Sequence, residues 1–219
     1  MTNKEILKWF KIQFGEKIAP AITGTPFDIN IVAAISFQET GYIWRSTINK
    51  ISVDEILAVC VGDTIDKGRT QFPKNKEHLL QNPDGQKMFD VAREALRSIS
   101  VYIDAYKNEF VKPHKFCRGY GIFQYDLQFF PGDKDFFLQK KWFLFQECLN
   151  RFLDELKKAQ KRAGYGRKES LTDKEKVFVA IAYNAGSVNT NGDFKQGHQS
   201  GGKYYGEYIH EYFTLAKTV

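Results

Sequence analysis

A mainly α-helical fold is what this sequence predicts, and three observations carry the prediction. Apolar residues recur in steps of three and four along most of the 219 residues, the spacing of a buried helix face. Thr25 with Asp28, and Thr172 with Glu175, have the spacing of helix-capping boxes. There is no internal repeat, no low-complexity linker and no regular series of strands. Hydrophobic residues make up 42% of the chain, enough for a sizeable core and against wholesale disorder. The reading is one domain spanning residues 1–219.

The elements follow in order. Ile6, Phe10 and Phe14, with Trp9 beside them, mark a first helix; its stretch MTNKEILKWFKIQFGEK is amphipathic, broken by charges, and is no signal peptide. A second helix starts around residues 25–28. Pro26 suits its first position, and Asp28 could itself be the cap. It is expected to run to about Thr40, with Gly41 as its stop. Residues 45–85 are polar, with turn signals at Gly62-Asp63, Gly68 and Asn82-Pro83-Asp84-Gly85. Met88 to Tyr106 reads as one helix, with Phe89, Ala92, Leu96, Ile99 and Ile103 on a face. GYGIFQYD, residues 119–126, reads as extended or turning. The longest element is expected from Asp135 to Ala163, striped by Leu138, Trp142, Phe145, Leu149, Phe152 and Leu156 and closed by Gly164. Thr172 opens the helix containing KVFVAIAYN, and Gly186 ends it. A glycine-rich polar loop precedes a last helix marked by Tyr205, Tyr208, Ile209 and Tyr212.

Composition narrows function only in part. The formal charge is +6 and the isoelectric point near 9.0, which suits an anionic partner such as cell-wall glycan, nucleic acid or an acidic protein. The 19 Phe and 11 Tyr fill cores and also line grooves for flat apolar faces. Cys60, Cys117 and Cys148 lack any CxxC or Cys/His ligand pattern and read as buried thiols. No segment approaches the roughly 18 apolar residues of a membrane span. The tract Lys157, Lys158, Lys161, Arg162, Arg167 and Lys168 reads as the solvated end of a long helix, and no nucleic-acid reader motif accompanies it. Cys117 with His114 or His198 lacks the local pattern of a cysteine peptidase. Residues 189–193, NTNGD, lack the further ligands of a calcium loop and read as a turn. No metal or organic cofactor is implied.

Chemistry enters at SFQETGYIW, residues 36–44. Glu39 is expected in the last turn of a largely apolar helix, where an acid costs about 0.3–1 kcal/mol. Counting back by helical steps, it shares a face with Ile35 and Val32, with Gln38 and Ala34 beside it. Apolar surroundings and helix-end carbonyls both disfavour the charged form. A carboxyl that keeps its proton near neutral pH is what a glycosidic oxygen needs from a general acid.

With ETG after an apolar helix, then GIFQYD, then AYNAG and a tyrosine-rich helix, the chain resembles the lysozyme-like superfamily, in particular lytic transglycosylases and goose-type lysozymes. The resemblance covers residues of about 25–45 and 117–215. It implies a lysozyme-like helical domain in which Glu39 is the acid, Gln124, Tyr183 and Asn184 line the cleft, and the middle motif holds glycan. Gln38, Gly121, Phe123, Tyr125 and Tyr208 join them as expected substrate-binding residues. Gln124 and Asn184 each offer an amide donor and acceptor for N-acetyl and hydroxyl groups. Tyr183 can direct a hydroxyl at the carboxyl, and Gly119 or Gly121 allows close backbone approach.

Two departures stand out. Roughly eighty residues separate Glu39 from Gln124, so about 45–115 looks like an insertion, a lid or a subdomain. Asp126 follows Gln-Tyr where goose-type lysozymes carry an aspartate implicated in positioning the hydrolytic water; many transglycosylases lack it and use the substrate's N-acetyl group. Asp126 thus tilts the expectation toward inverting hydrolysis, which needs two carboxyls about 6.5–9.5 Å apart. Asp63 and Asp66 are weaker candidates for a second carboxylate. The expected activity is cleavage of the β-1,4 bond between N-acetylmuramic acid and N-acetylglucosamine in peptidoglycan, by a muramidase or a lytic transglycosylase. The rival of another class is a non-catalytic domain that binds glycan or a partner. With no leader visible, the expected settings are a phage lysin, an exported effector with a cognate inhibitor protein, or an excised module.

Overall fold

The computed structural model describes residues 1–65 and 69–219. The turn expected at Gly68 and the candidate carboxylate Asp66 lie outside the described residues. Among the described residues the chain is mainly α, with ten helices, 59% helix and small antiparallel sheets. In chain order the elements are α1 (Asn3–Ile22), α2 (Ile29–Thr47), α3 (Val53–Val59), β1 (Val61–Thr64), α4 (Lys76–Leu80), α5 (Gly85–Ser100), α6 (Asp104–Phe110), β2 (Cys117–Tyr120), β3 (Tyr125–Asp126), α7 (Lys134–Leu138), α8 (Phe145–Arg162), α9 (Asp173–Ala185), β4 (Gln199–Ser200), β5 (Lys203–Tyr204) and α10 (Tyr205–Ala216). They form two compact units: Met1–Gly41 with Leu149–Val219, and Tyr42–Cys148. No helix among the described residues is long and apolar enough to cross a membrane.

In the first unit, α1 buries Ile6, Phe10, Phe14 and Ile18, the face its four-residue spacing marks out. At the start of α2, Asp28 is the cap: its Oδ1 accepts the N–H groups of Asn30 and Ile31 at 2.9 and 3.1 Å. Thr25 instead donates its hydroxyl to the Ile22 carbonyl at 2.7 Å. Gly41 does not stop α2, which runs on to Thr47. The missing side chain at Gly41 makes room for a ring, since a Cβ there would sit 2.5 Å from Cδ2 of Phe37. Glu39 therefore lies about two turns inside the helix, and the helix-end carbonyls expected beside it are not there. Ser36 and Thr40 are fully buried and donate their hydroxyls to the carbonyls four residues back, Val32 and Ser36, which settles two polar groups inside an apolar helix.

The capping box at Thr172 and Glu175 forms as its spacing indicates. Gly186 ends α9 in the left-handed region, φ 77°, its N–H donating to the Ala182 carbonyl. In the 189–193 stretch, Asn189 Oδ1 accepts the Asn191 N–H and Asp193 Oδ1 the Lys195 N–H, the local turns expected there. No cluster of metal-ligating side chains occurs among the described residues.

The second unit departs more from the sequence reading. The polar stretch after residue 45 contains α3, with a capping box on Ser52 and Glu55. Gly62-Asp63 is part of β1, with Asp63 at φ 45°. The helix expected over Met88–Tyr106 breaks after Ser100, where Ile103 is extended, and α6 follows. That break brings the Tyr106 hydroxyl to the Asp63 N–H, 3.1 Å, and to the Tyr42 hydroxyl, 2.9 Å. The long element expected from Asp135 also breaks: Lys140 adopts φ 53°, and a short turn seats Trp142 against Tyr120, ring centroids 4.9 Å apart, with the indole N–H 3.3 Å from the Ala58 carbonyl. β2 lies between β1 and β3, antiparallel to both, pairing Val61 with Tyr120 and Gly119 with Asp126. GYGIFQYD, expected to be extended or turning, is thus a hairpin. All three cysteines are buried thiols outside any disulfide.

Candidate functional site

The candidate residues fall into two groups. In the first unit, α2 carries Gln38 and Glu39, both half-buried. The Tyr205 hydroxyl donates to Oε1 of Glu39 at 2.9 Å. Tyr205 is 3% exposed, and burial first, then the neighbouring Glu39 and Tyr183, pushes its phenol well above the ordinary range.

Tyr205 is held by its surroundings. It is the first residue of α10, and its N–H donates to the His198 carbonyl at 2.8 Å. The next residue, Gly206, approaches α9 so closely that a Cβ would lie 2.5 Å from both Ile181 Cδ1 and the Phe194 carbonyl oxygen. Glu207 accepts the Tyr204 N–H at 2.9 Å and so closes the first turn. Tyr205 was not among the residues the sequence singled out for the carboxyl, where Tyr183 was expected to direct a hydroxyl; its bond to Glu39 is the addition the structure makes. The signal available for it was its place at the head of the tyrosine-rich helix, just after the glycine-rich loop. Tyr183 is half-buried and packs edge-on to Phe152, centroids 5.4 Å apart. Asn184 is exposed, and its Oδ1 accepts the His198 N–H at 3.3 Å. Tyr208 is half-buried and donates its hydroxyl to the Ser200 carbonyl at 3.0 Å.

In the second unit the GYGIFQYD hairpin gathers Gly121, Phe123, Gln124, Tyr125 and Asp126. Gly121 turns the chain at φ 76°, and a Cβ on it would meet Cys148 Sγ at 2.4 Å. Gln124 folds back over the hairpin: its Nε2 donates to the Gly121 carbonyl at 3.0 Å, and its Oε1 would be 2.2 Å from a Cβ on Gly119. Both glycines thus admit this chain's own side chains. Phe123 is 2% exposed and packs on Phe145, while Tyr125 stacks on Phe129 at 4.6 Å.

Asp126 is the most heavily engaged carboxylate of this group. Its Oδ1 accepts from Arg69 at 2.5 Å and from the Gln128 N–H at 2.8 Å. Its Oδ2 accepts from Arg118 at 2.7 Å, and Arg118 reaches on to Asp63 at 2.9 Å. Neither arginine was picked out in the sequence: Arg69 comes from a segment 57 residues away, and Arg118 reaches Asp126 across the β2–β3 hairpin, whose pairing the sequence did not show. Cys117 is fully buried, and burial with the Asp63 charge raises its thiol well above the ordinary range, the opposite of what a nucleophile requires.

Comparison with known proteins gave no match to a family model, to a curated protein or to a solved structure. Chemically, the first group offers a carboxyl set in an apolar helix and oriented by a neutral phenol. The second offers a hairpin whose carboxylate is neutralised by two guanidinium groups.

Proposed function

We propose that the chain is a lysozyme-like glycosidase that cleaves the β-1,4 bond between N-acetylmuramic acid and N-acetylglucosamine, with Glu39 as general acid. The observation that carries this reading is the 2.9 Å hydrogen bond from the buried Tyr205 hydroxyl to Glu39 Oε1. It fixes the orientation of one carboxyl on a helix whose preceding turns are apolar, and geometry of that kind is the first requirement of a general acid. Glu39 gives its proton to the leaving oxygen, the glycosidic bond breaks, and a nucleophile takes the anomeric carbon. Substrate-binding roles for Gln38, Tyr183, Asn184 and Tyr208 in the first unit, and for the 121–126 hairpin in the second, are part of the same proposal, as are delivery to the cell wall and a cognate inhibitor.

The nucleophile divides the reading. A water held by Asp126 gives inversion and a muramidase. The paired state of Asp126 favours the second route: with Arg69, Arg118 and the Gln128 N–H on its oxygens, little acceptor capacity is left for a water. The substrate's own acetamido group then assists, and the product is an anhydro-sugar.

The test is digestion of purified peptidoglycan with mass spectrometry of the soluble fragments. Fragments lighter by one water than hydrolytic products are expected for a transglycosylase, reducing ends for a muramidase. No fragments at all, with intact glycan binding, would establish the non-catalytic rival.

A further inference from the structure

On the face of α10 that carries Tyr205, Tyr208 and Tyr212 follow at the third and seventh positions, so the three share one side of the helix. The Tyr208 and Tyr212 rings stack with centroids 5.9 Å apart and planes 25° apart. Tyr212 stands edge-on to Phe37 of α2 at 4.7 Å. Tyr208 is pinned from the other side by the β4–β5 hairpin through its bond to the Ser200 carbonyl. That hairpin turns at Gly201, φ 57°, where a Cβ would be 2.8 Å from the Tyr208 hydroxyl. Both tyrosines nevertheless remain partly open to solvent.

Lys203 Nζ also stands 5.7 Å from the centroid of the Tyr208 ring. Two explanations compete for such a pair. Stacked rings that only fill a core have no need of solvent exposure, and fully buried Phe10, Phe14, Phe178 and Phe213 already supply this unit with aromatic bulk. Two parallel rings held by their rims, with part of their surface wet, make a platform for the apolar face of a sugar ring. The hairpin adds the exposed Gln199, whose amide both donates and accepts. At a rise of 1.5 Å per residue, Tyr208 lies about 4.5 Å and Tyr212 about 10 Å beyond Tyr205 along the helix. That is within reach of the sugars beside a bond cleaved at Glu39.

We propose that Tyr208, Tyr212 and the Gln199–Tyr204 hairpin form a stacking subsite for an N-acetylhexosamine ring of the glycan. The proposal rests on the glycan-cleaving reading above, and its test separates the two. Sedimentation with insoluble peptidoglycan is carried out in a Glu39→Gln background, with and without Tyr208→Ala plus Tyr212→Ala. The double replacement is expected to weaken binding roughly tenfold or more, while Tyr208→Phe with Tyr212→Phe, which keep both rings, preserve it. As a check that needs no variant, the ring signals of both tyrosines in labelled protein of natural sequence should shift saturably as N-acetylglucosamine oligomers are added. Ring signals that stay unmoved, or a folded double-alanine protein that binds like its parent, overturn the subsite and leave Glu39 untouched. Fragment release undiminished by Glu39→Gln, with binding still lost in the double-alanine protein, sinks the general acid and supports the subsite. Binding by none of the proteins overturns both.

Discussion

At Glu39 the chain places an ionisable group among Val32, Ala34 and Ile35, all fully buried, and gives it the Tyr205 phenol as an oriented neighbour. The Tyr205 hydroxyl has been carried 166 residues along the sequence to reach it, which is why spacing alone could not reveal the pair. A hydrogen bond to a carboxyl that ionises during turnover contributes about 1.5–3 kcal/mol, or roughly 10–100-fold in rate. Tyr205→Phe keeps the ring that fills the site and removes only the donor. Its kcat on peptidoglycan should fall by about tenfold or more while KM and the melting temperature stay near the parent values. A KM effect with unchanged kcat would show that the phenol serves substrate binding and not the carboxyl. Other residue-level readings transferred directly: Asp28 caps α2, Gly186 ends α9, and three isolated cysteines are buried thiols. The partners of Asp126 did not, because no local pattern links Arg69 or Arg118 to it.

Among the elements, α2 shows how a correct local rule is overridden. Glycine at a helix end relieves a left-handed residue, and Gly41 was read that way. Its real neighbour is the Phe37 ring one turn back, and the helix continues because Ile43 and Trp44 are themselves fully buried. The two readings make opposite forecasts. An ordinary interior Gly→Ala change gains about 0.5–1 kcal/mol from backbone entropy. Here the added methyl meets the Phe37 ring at 2.5 Å, and overpacking of that kind costs about 1–3 kcal/mol. Clash outweighs propensity, so Gly41→Ala should lower the unfolding free energy in urea; a stabilised protein would contradict the packing.

α6 offers a pH test at the same scale. Its Glu109 is held from an ordinary 4.5 down to about 2, chiefly by Lys112, with Lys115 and Thr64 of β1 also lowering it. Asp84, ahead of α5, is likewise held from 3.8 to about 2 by Lys134 and Lys87. For carboxylates depressed on folding, the stabilisation is complete above the unfolded value and is lost as protons bind. Melting temperature should therefore decline as pH falls from about 4.5 toward 2, and more shallowly for Glu109→Gln. A flat profile across that window would remove these pairs from the stability of the fold. The breaks after Ser100 and at Lys140 were not legible in advance, since the apolar period runs on through both; what interrupts it is the tertiary placement of Tyr106 and Trp142.

For the whole molecule, the helical character was legible because most of its helices bury a face that repeats every three or four residues. The small sheets were not: among the described residues β1, β4 and β5 have partners that no periodicity flags, and only the GYGIFQYD turn announced itself through glycine. The two compact units, one of them assembled from the chain's two ends, were not foretold by the motifs. The functional account stands on one proton transfer, and the most direct measurement is the loss of turbidity of purified peptidoglycan sacculi exposed to the natural protein and to Glu39→Gln at matched melting temperatures. Removing a general acid should slow release by about 10²–10⁴-fold while both proteins still sediment with the sacculi. Equal rates of clearing by the two would contradict the account.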